Sequence, residues 1–398
     1  MENILAQAKF LQSDLVSWRR HLHQNPELGM VLPLTSAFVS EKLKEMGYSP
    51  QSMAGSGIVA TVGGKNPGKC FLLRADMDAL PINEESGIEF SSQNSNMHAC
   101  GHDFHIAMLL GAAKLLKQNE NMINGTVKLM FQPGEEVMKG GKAMVDEGVL
   151  ENPKVDAASM IHVMSGLSFP SGSVMIPSAG AFSSSSDIFE ITIQGKGGHG
   201  AMPNATIDPI NVACHLHLAL QALNSREVSP DETVVVTIGC IQSGETANVI
   251  PDTAVIKGTV RTFNEDVRQF ILSRIPKIAH HTAEAFRASA DVNIITGCDS
   301  VVVDESVSDN IRASLSEVLG ENVIDKSFLK NFKMSASEDF AYIASDVPSV
   351  LIGLSTGSPT EGYPYYMHHP KVTFNEDVLY EGAAIHAISA LGWLNANK

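Results

Sequence analysis

A short segment after residue 97 concentrates side chains that bind transition metals. The string Met97-His98-Ala99-Cys100-Gly101-His102-Asp103-Phe104-His105 supplies a thiol, three imidazoles and a carboxylate at the predicted start of a helix. Thiolate and imidazole together suit zinc and cations of similar softness. Cys100 and His102 are two residues apart, which lets both side chains meet at one site, whereas His105 could share that face or simply pack. The cluster therefore predicts a metal site where a single histidine would not.

Two adjacent glutamates, Glu135 and Glu136, follow a predicted strand in the string Phe131-Gln132-Pro133-Gly134-Glu135-Glu136. Neighbouring residues of an extended segment point in opposite directions. One glutamate could therefore bind a metal while the other faces a water that the metal activates. The alternative is a solvated acidic pair in a turn.

Metal-binding residue types also occur in other segments that come close to predicted strands. His162 ends an apolar run, and His368 lies far along the chain in the string Met367-His368-His369-Pro370. Asp76 and Asp78 follow a strand at positions i and i+2, so they share one side of it. These carboxylates could bind metal, or could hold the ligand imidazoles by hydrogen bonds. Separate segments with the same chemistry at strand or loop edges favour one shared site.

The elements that would position these side chains alternate between strand and helix in the first half of the chain. Short β-rich runs lie at Ile58–Val62, Cys70–Arg74, Thr126–Phe131 and Val155–Val163, and one long helical run lies at His102–Leu116. Such alternation predicts an α/β domain, here with a mixed sheet covered by helices. Functional sites of these domains gather at strand ends.

The pattern changes after the serine-rich stretch Phe182–Ser186. Strands and helices then follow in the order βαββαβ, at Asp187–Gln194, Ile207–Leu223, Thr233–Ile241, Thr253–Arg261, Val267–Arg287 and Asp291–Thr296. This is the order of a ferredoxin-like unit. We therefore predict that residues 187–297 form a domain inserted into a larger catalytic α/β domain, which comprises residues 1–186 and 298–398 and holds the metal.

Composition excludes several classes of partner. The chain has 28 basic and 44 acidic residues and a formal charge of -16, so its surface repels phosphate backbones and anionic lipids. We expect neither a nucleic-acid nor a membrane partner, because there is also no apolar run of about 18 residues. Five scattered cysteines do not suggest a disulfide framework, and the first residues do not resemble a secretory signal. These features predict a cytoplasmic location.

The motifs, taken in order, resemble the M20 metallopeptidase family, and within it the amidohydrolase branch of hippurate hydrolases, aminoacylases and indole-acetyl-amino-acid hydrolases. The matching strings are RADMDALP (74–81), HACGHD (98–103), QPGEE (132–136), IHV (161–163), GGHGAMP (197–203), ANVIPD (247–252), GTVR (258–261), SEDF (337–340) and HHP (368–370). In related branches a metal-binding histidine stands where this chain has Asp76, so Asp76 is left outside the expected ligand set.

The resemblance implies two divalent cations per subunit, Mn²⁺ or Zn²⁺ first, with Co²⁺ or Ni²⁺ as alternatives. Carried over position by position, the expected ligands are Cys100, His102, Glu136, His162 and His368. Glu135 would be the general base that takes a proton from the metal-activated water. Asp78 would support the ligands through hydrogen bonds without binding metal itself.

The resemblance also implies that the inserted domain is a lid, through which homodimers form. His199, Asn248 and Arg261 would bind substrate from this lid, and His199 and Asn248 could act on the partner's site. Arg261 suits the carboxylate of an amino acid, although a surface salt bridge is an alternative. The expected substrate is a small N-acyl-amino acid. Deacetylation of N-acetyl-diaminopimelate, and cleavage of dipeptides or carboxyl-terminal residues, are the alternatives within the family.

Two other classes of protein compete with this interpretation. A thiol hydrolase would use Cys100 as nucleophile and a histidine as base, but it leaves the paired glutamates and distant histidines without a role. A binding or scaffolding protein could keep the fold without activity. In that case we would expect some ligand or base positions to be lost, and all of them are filled here.

Overall fold

The computed structural model describes residues 1–329 and 332–398, which form two compact units. The first unit consists of Met1–Gly180, Val301–Phe332 and Asp339–Lys398. The second consists of Ala181–Ser300 and Lys333–Glu338. The second unit is thus an insertion in the sequence of the first.

A seven-stranded mixed sheet forms the centre of the first unit. Numbered along the chain, its strands are β1 (Gln51–Met53), β2 (Gly57–Gly63), β3 (Cys70–Asp76), β4 (Thr126–Gln132), β5 (Ala157–Met164), β6 (Val174–Met175) and β15 (Ser349–Ser355). They lie in the order β1-β2-β4-β3-β5-β15-β6. The four strands β4, β3, β5 and β15 are parallel to their neighbours within this group, and the outer pairs are antiparallel. The predicted mixed α/β sheet is confirmed.

The parallel strands are buried on both faces, which explains their continuous apolar runs. Every residue of β3 and of β5 is buried. The run predicted to start at Val155 becomes a strand only at Ala157. Val155 donates its backbone N–H to the Leu150 carbonyl at 2.8 Å and so still belongs to the preceding turn.

Eight helices of the described chain belong to the first unit. They are α1 (Glu2–Lys9), α2 (Gln12–Gln24), α3 (Pro33–Glu45), α4 (His102–Gln118), α5 (Gly140–Asp146), α8 (Glu305–Leu319), α9 (Ala341–Ala344) and α10 (Leu379–Ala396). The helices α4 and α10 are buried almost all round and pack on each other. A Cβ built on Gly111 would lie 2.8 Å from Ala383 Cβ, so small residues let the two backbones approach. Although α10 is strongly apolar, no helix in the described ranges combines the length and hydropathy that a bilayer crossing requires.

The second unit contains a four-stranded antiparallel sheet with two helices. Its elements are β8 (Ser186–Gln194), β9 (Gly198–His199), α6 (Pro209–Ala222), β10 (Val234–Gln242), β11 (Val249–Ile250), β12 (Thr253–Thr262), α7 (Glu265–Ala285) and β13 (Ser289–Cys298). Two further strands of the described residues, β7 (Gly180–Ala181) and β14 (Val302–Val303), are each two residues long. The main sheet has the order β10-β12-β8-β13, which is the ferredoxin-like arrangement predicted from the βαββαβ pattern.

Buried apolar residues alternate with more exposed residues along β8, and the buried ones form part of the core of this unit. Phe189, Ile191 and Ile193 are fully buried and pack with apolar residues of α6 and α7. Burial of each such side chain contributes roughly 1.5–3 kcal/mol relative to exposure. The helices begin where the sequence caps them: the Asp208 carboxylate accepts from the Ile210 backbone N–H at 2.9 Å, and Asn264 caps α7 in the same way.

Candidate metal centre and active site

Three parallel strands of the first unit deliver polar side chains to one edge of the sheet. Asp76 is the last residue of β3, Glu135 and Glu136 follow β4, and His162 lies near the end of β5. Because β3 is parallel to both β4 and β5, these carboxyl ends meet at the same edge. The strand order thus collects residues that are far apart in sequence.

The turn before α4 adds Cys100 and His102 to that edge. Gly101 between them has φ +89°, in the left-handed region that glycine adopts without strain. A Cβ on Gly101 would lie 2.3 Å from Val163 Cγ2. The missing side chain therefore allows the turn to pack closely on β5.

The structure brings all five predicted metal ligands together. Two groups of potential ligand atoms, each within 4.8 Å of one another, share the Cys100 thiol: one adds His102 and His162, the other Glu136 and His368. Cys100 Sγ lies 3.6 Å from His162 Nε2, and Glu136 Oε1 lies 3.6 Å from His368 Nε2. All except His368 are largely buried.

Backbone carbonyls orient the two buried imidazoles. His102 Nδ1 donates to the Asp78 carbonyl at 2.7 Å, and His162 Nδ1 donates to the Val163 carbonyl at 2.7 Å. Each hydrogen bond keeps a proton on Nδ1, so the neutral ring carries its lone pair on Nε2, as a metal ligand requires. His368 has φ +66° and is fixed through its backbone N–H, which donates to the Ala99 carbonyl at 2.9 Å.

Asp78 also positions the paired glutamates. Its carboxylate accepts from the backbone N–H groups of Glu135 at 2.9 Å and Glu136 at 3.2 Å. The side chain of Asp78 is thus occupied by the backbone, while its carbonyl holds His102. Glu135 is nearly buried, with Oε2 4.0 Å from His102 Nε2.

The chemistry of the cluster fits a cation. His102 Nε2 and Glu136 Oε1 are buried and have no hydrogen-bond partner among the described residues. Burial and the charge of Glu136 raise the pKa of the Cys100 thiol well above its usual value. Burial, opposed by His102 and reinforced by Asp78 and Asp76, raises the pKa of Glu136 to about 7. These orphaned atoms and crowded acidic groups suit a positive ion, and thiolate, imidazole and carboxylate are donors for Zn²⁺ or Mn²⁺.

Asp76, the strand-end carboxylate left outside the predicted ligand set, is engaged elsewhere. Its two oxygens contact His105 Nδ1 at 2.5 Å and Arg74 Nη1 at 2.7 Å. Although burial acts in the opposite direction, His102, His105 and Arg74 together hold the pKa of Asp76 well below its usual range. Asp76 is therefore an ionised hydrogen-bond acceptor inside the first unit.

The predicted substrate-binding residues all lie in the second unit. His199 on β9 and Asn248 beside β11 are exposed and come together because these two short strands pair. His199 Nδ1 accepts from the Ala201 backbone N–H at 3.1 Å, which leaves the proton of the neutral ring on Nε2. Arg261 lies separately on β12, where Nη1 donates to Ser337 Oγ at 2.6 Å.

A buried ionic network next to the site was not predicted from the sequence. Asp103 Oδ2 accepts from Arg19 Nε at 2.7 Å and lies 2.8 Å from His23 Nδ1, which joins α2 to the first turn of α4. His23 Nε2 contacts Glu84 at 3.1 Å. Asp103 was visible in the string HACGHD, but no local pattern identifies its partners on a distant helix.

We expect Gly101→Ala to lower the free energy of unfolding by about 2–5 kcal/mol. The strain of alanine at a left-handed φ is added to the cost of the clash between its Cβ and Val163. Urea denaturation followed by circular dichroism measures this loss. Gly148→Ala is the matched control: Gly148 has φ +94° but open space around its Cβ position. It should cost only about 1–2 kcal/mol. Equal losses in both variants would show that close packing at Gly101 is unimportant.

Known proteins resemble this chain over nearly its whole length. A sequence model of peptidase family M20/M25/M40 matches residues 72–391. The chain is 36% identical to an N-acetyl-L-cysteine deacetylase of Bacillus subtilis, over 98% of this chain and 90% of the relative. It is 34% identical to thermostable carboxypeptidase 2 of Saccharolobus solfataricus, over 99% of both. It is also 34% identical to the hippurate hydrolase of Campylobacter jejuni, over 98% of this chain and 100% of the relative.

Solved structures give the same result for the fold. A crystal structure from methicillin-resistant Staphylococcus aureus matches with a TM-score of 0.91 at 32% identity, covering 99% of this chain and 100% of the other. A dinuclear metal-binding peptidase of the M20 family from Bacillus subtilis matches with a TM-score of 0.81 at 30% identity, covering 97% and 99%. Both cover the inserted unit as well as the sheet that carries the site.

Proposed function

Because the chain belongs to peptidase family M20/M25/M40 and to its amidohydrolase branch, we propose that it hydrolyses the amide bond of N-acyl-amino acids such as hippurate or acetyl-amino acids. Family membership makes it a metal-dependent enzyme that acts on amide bonds, and the resemblance of its motifs is confirmed. The observation that carries the proposal is the convergence of the five predicted ligand side chains beside Glu135 at one sheet edge. A non-enzymatic binding protein is no longer a competing interpretation.

The two groups of ligand atoms support a pair of divalent cations, Mn²⁺ or Zn²⁺. Cys100 with His102 and His162 would hold one ion, and Cys100 with Glu136 and His368 the other. Cys100 would be the shared ligand, since its thiol belongs to both groups. When bound, such ions lower the pKa of water towards about 7 and polarise the amide carbonyl. A dinuclear relative of known structure supports the same number of ions.

Glu135 is proposed as the residue that moves the proton. Its backbone N–H is held by Asp78, and its carboxylate lies at the edge of the ligand cluster. Glu135 would accept a proton from the attacking water and then donate it to the nitrogen of the leaving amine. The products are a carboxylic acid and an amino acid, so the proton count balances. Base catalysis of this kind contributes typically 10² to 10⁴ in rate.

Residues of the second unit are proposed to bind the substrate. His199 presents a protonated Nε2, which suits the oxyanion that develops on the amide carbonyl. Asn248 lies beside His199 and offers a second polar group. Arg261 is proposed to bind the carboxylate of the amino-acid part, because a guanidinium pairs with a carboxylate through two parallel hydrogen bonds. We further propose that the second unit carries a homodimer, in which His199 and Asn248 serve either their own or the partner's site.

Cleavage of carboxyl-terminal residues is the second candidate, and the similarity to thermostable carboxypeptidase 2 favours it. Both reactions release an amino acid with a free carboxylate and differ in the acyl side. A panel of hippurate, acetyl-amino acids, N-acetyl-diaminopimelate and dipeptides, read by ninhydrin with Mn²⁺ or Zn²⁺, separates them. We expect the highest kcat/KM for an N-acyl-amino acid. A preference of about tenfold or more for dipeptides would replace the proposal with the second candidate.

The same panel tests Arg261 when it includes hippurate and its carboxamide, which lacks the charge. Arg261→Ala should raise KM for hippurate by about 10- to 100-fold, as expected for a lost charge-assisted pair, and leave the carboxamide unchanged. Arg261→Lys is the matched control, because it keeps the positive charge and loses the planar guanidinium that makes two parallel hydrogen bonds. Its KM for hippurate should fall between those of the wild type and of Arg261→Ala. Unchanged KM for hippurate in Arg261→Ala would remove Arg261 from substrate binding and leave it as a structural contact of Ser337.

A further inference from the structure

His105 is a fully buried histidine of α4 that lies between two of the proposed ligands. Its ring centroid is 5.4 Å from that of His102 and 4.8 Å from that of His162. It is also close enough to Asp76 and His102 to suggest a ligand set of those three. The position of His105 thus leaves its role open between ligand and support.

Hydrogen bonds decide between these roles. The Val163 backbone N–H donates to His105 Nε2 at 2.9 Å, so Nε2 must carry the lone pair. The proton of the neutral ring is then on Nδ1, which donates to Asp76 Oδ1 at 2.5 Å. Both ring nitrogens are engaged, and neither is left to bind a metal.

The acceptor of that proton is itself held rigidly. Arg74 Nη1 donates to Asp76 Oδ2 at 2.7 Å, and Arg74 Nη2 donates to Asp339 Oδ1 at 2.8 Å. Gln132 Oε1 accepts from Arg74 Nε at 3.0 Å. These four side chains are completely buried. Asp76 therefore gives His105 a fixed orientation.

Val163 connects His105 to the ligand His162. Its N–H binds His105, and its carbonyl accepts from His162 Nδ1 at 2.7 Å. We propose that His105 is a positioning residue, which fixes Val163 and through its carbonyl aims His162 Nε2 into the ligand cluster. This inference rests on the proposed function, since it assumes that His162 binds a metal.

Loss of the acceptor at Nε2 would leave the Val163 N–H buried without a partner. That is unfavourable, so the His162–Val163 peptide group would rotate or shift to find another acceptor. The Val163 carbonyl lies in the next peptide group and would shift with the Val163 Cα, which would tilt the His162 ring that donates to it. The effect should therefore appear in metal affinity, independently of turnover.

Two substitutions of His105 separate its hydrogen bond to Asp76 from its hydrogen bond to the Val163 N–H. Asparagine reaches the place of Nδ1, so His105→Asn keeps a donor for Asp76 and loses the acceptor for Val163. Glutamine reaches the place of Nε2, so His105→Gln can keep an acceptor for the Val163 N–H. We expect His105→Asn to weaken one of two Co²⁺ sites by about 10- to 100-fold, and His105→Gln to change it by no more than about threefold.

The measurement is a titration of full-length apoprotein with Co²⁺ against a competing chelator, followed by the visible cobalt spectrum. His386 supplies the matched control. It is buried in α10, and neither ring nitrogen has a hydrogen-bond partner in the described chain. His386→Asn and His386→Gln should leave both Co²⁺ affinities unchanged.

Equal weakening by His105→Asn and His105→Gln would overturn the inference, because it would indicate a general packing effect. Unchanged affinity in His105→Asn would overturn it as well. If His105→Asn does not fold, His105→Gln decides alone: retention of both Co²⁺ sites supports the positioning role of His105, and loss of one contradicts it. Wild-type protein that binds no Co²⁺, Mn²⁺ or Zn²⁺ would overturn the proposed function and this inference together, whereas the variant outcomes concern the inference alone.

Discussion

Glu135→Gln is expected to reduce kcat by about 10²- to 10⁴-fold while metal content stays at the wild-type level. Glutamine has the same shape as glutamate but cannot accept the proton of the attacking water. The backbone of residue 135 should keep its position, because Asp78 binds its N–H and not its side chain. Steady-state kinetics with hippurate, together with elemental analysis of bound metal, measures both quantities.

The neighbouring variant Glu136→Gln is the control for this prediction. Glu136 Oε1 lies among the proposed ligands, 3.6 Å from His368 Nε2. Its replacement should lower metal content as well as activity, so the two glutamates should separate in the metal analysis. If Glu135→Gln retains activity within about tenfold of wild type, Glu135 is not the base.

Removal of metal by dialysis against a chelator is expected to abolish hydrolysis, by at least about 10³-fold. Adding Mn²⁺ or Zn²⁺ should restore it, because the sheet and helices that carry the five proposed ligands should stay folded without metal. Far-UV circular dichroism of the metal-free protein checks that the sheet persists. Mg²⁺ serves as the matched control, since it prefers oxygen ligands and is poorly suited to a thiolate.

This prediction also tests the thiol-hydrolase alternative, in which Cys100 is the nucleophile. Such an enzyme would be indifferent to chelator, so full activity after dialysis would favour it and contradict a metal mechanism. A thiol hydrolase also gives no role to Glu136 and His368, which lie with the Cys100 thiol in one group of potential ligand atoms.

The metal-binding segment around Cys100 and His102 could be predicted from the sequence, because a thiol and imidazoles so close together are unusual. The paired glutamates, His162 and His368 are weak signals individually, and their place in the proposed ligand set came from the family resemblance. The βαββαβ order of the second unit was also visible, since its strands alternate apolar and polar residues, as β8 does. Such patterns are local, so the sequence records them directly.

The supporting contacts could not be predicted, because they join side chains to distant backbone. No pattern around His105 indicates that its ring accepts from the Val163 N–H, and none around Arg74 indicates Asp339 as its partner. The segment Lys333–Glu338 likewise belongs to the second unit without any local signal. These arrangements depend on which elements become neighbours, which only the folded chain determines.

The pairing of β15 with β5 has a consequence for biosynthesis. Strand β15 begins at residue 349, yet it lies parallel to a strand that ends at residue 164, with the whole inserted unit between them. During translation the inserted unit, whose strands pair over shorter sequence distances, can fold while β5 still lacks its neighbour β15. His368 leaves the ribosome later still. The proposed ligands, which span residues 100 to 368, therefore come together only after the inserted unit has been synthesised, so metal loading would follow its synthesis.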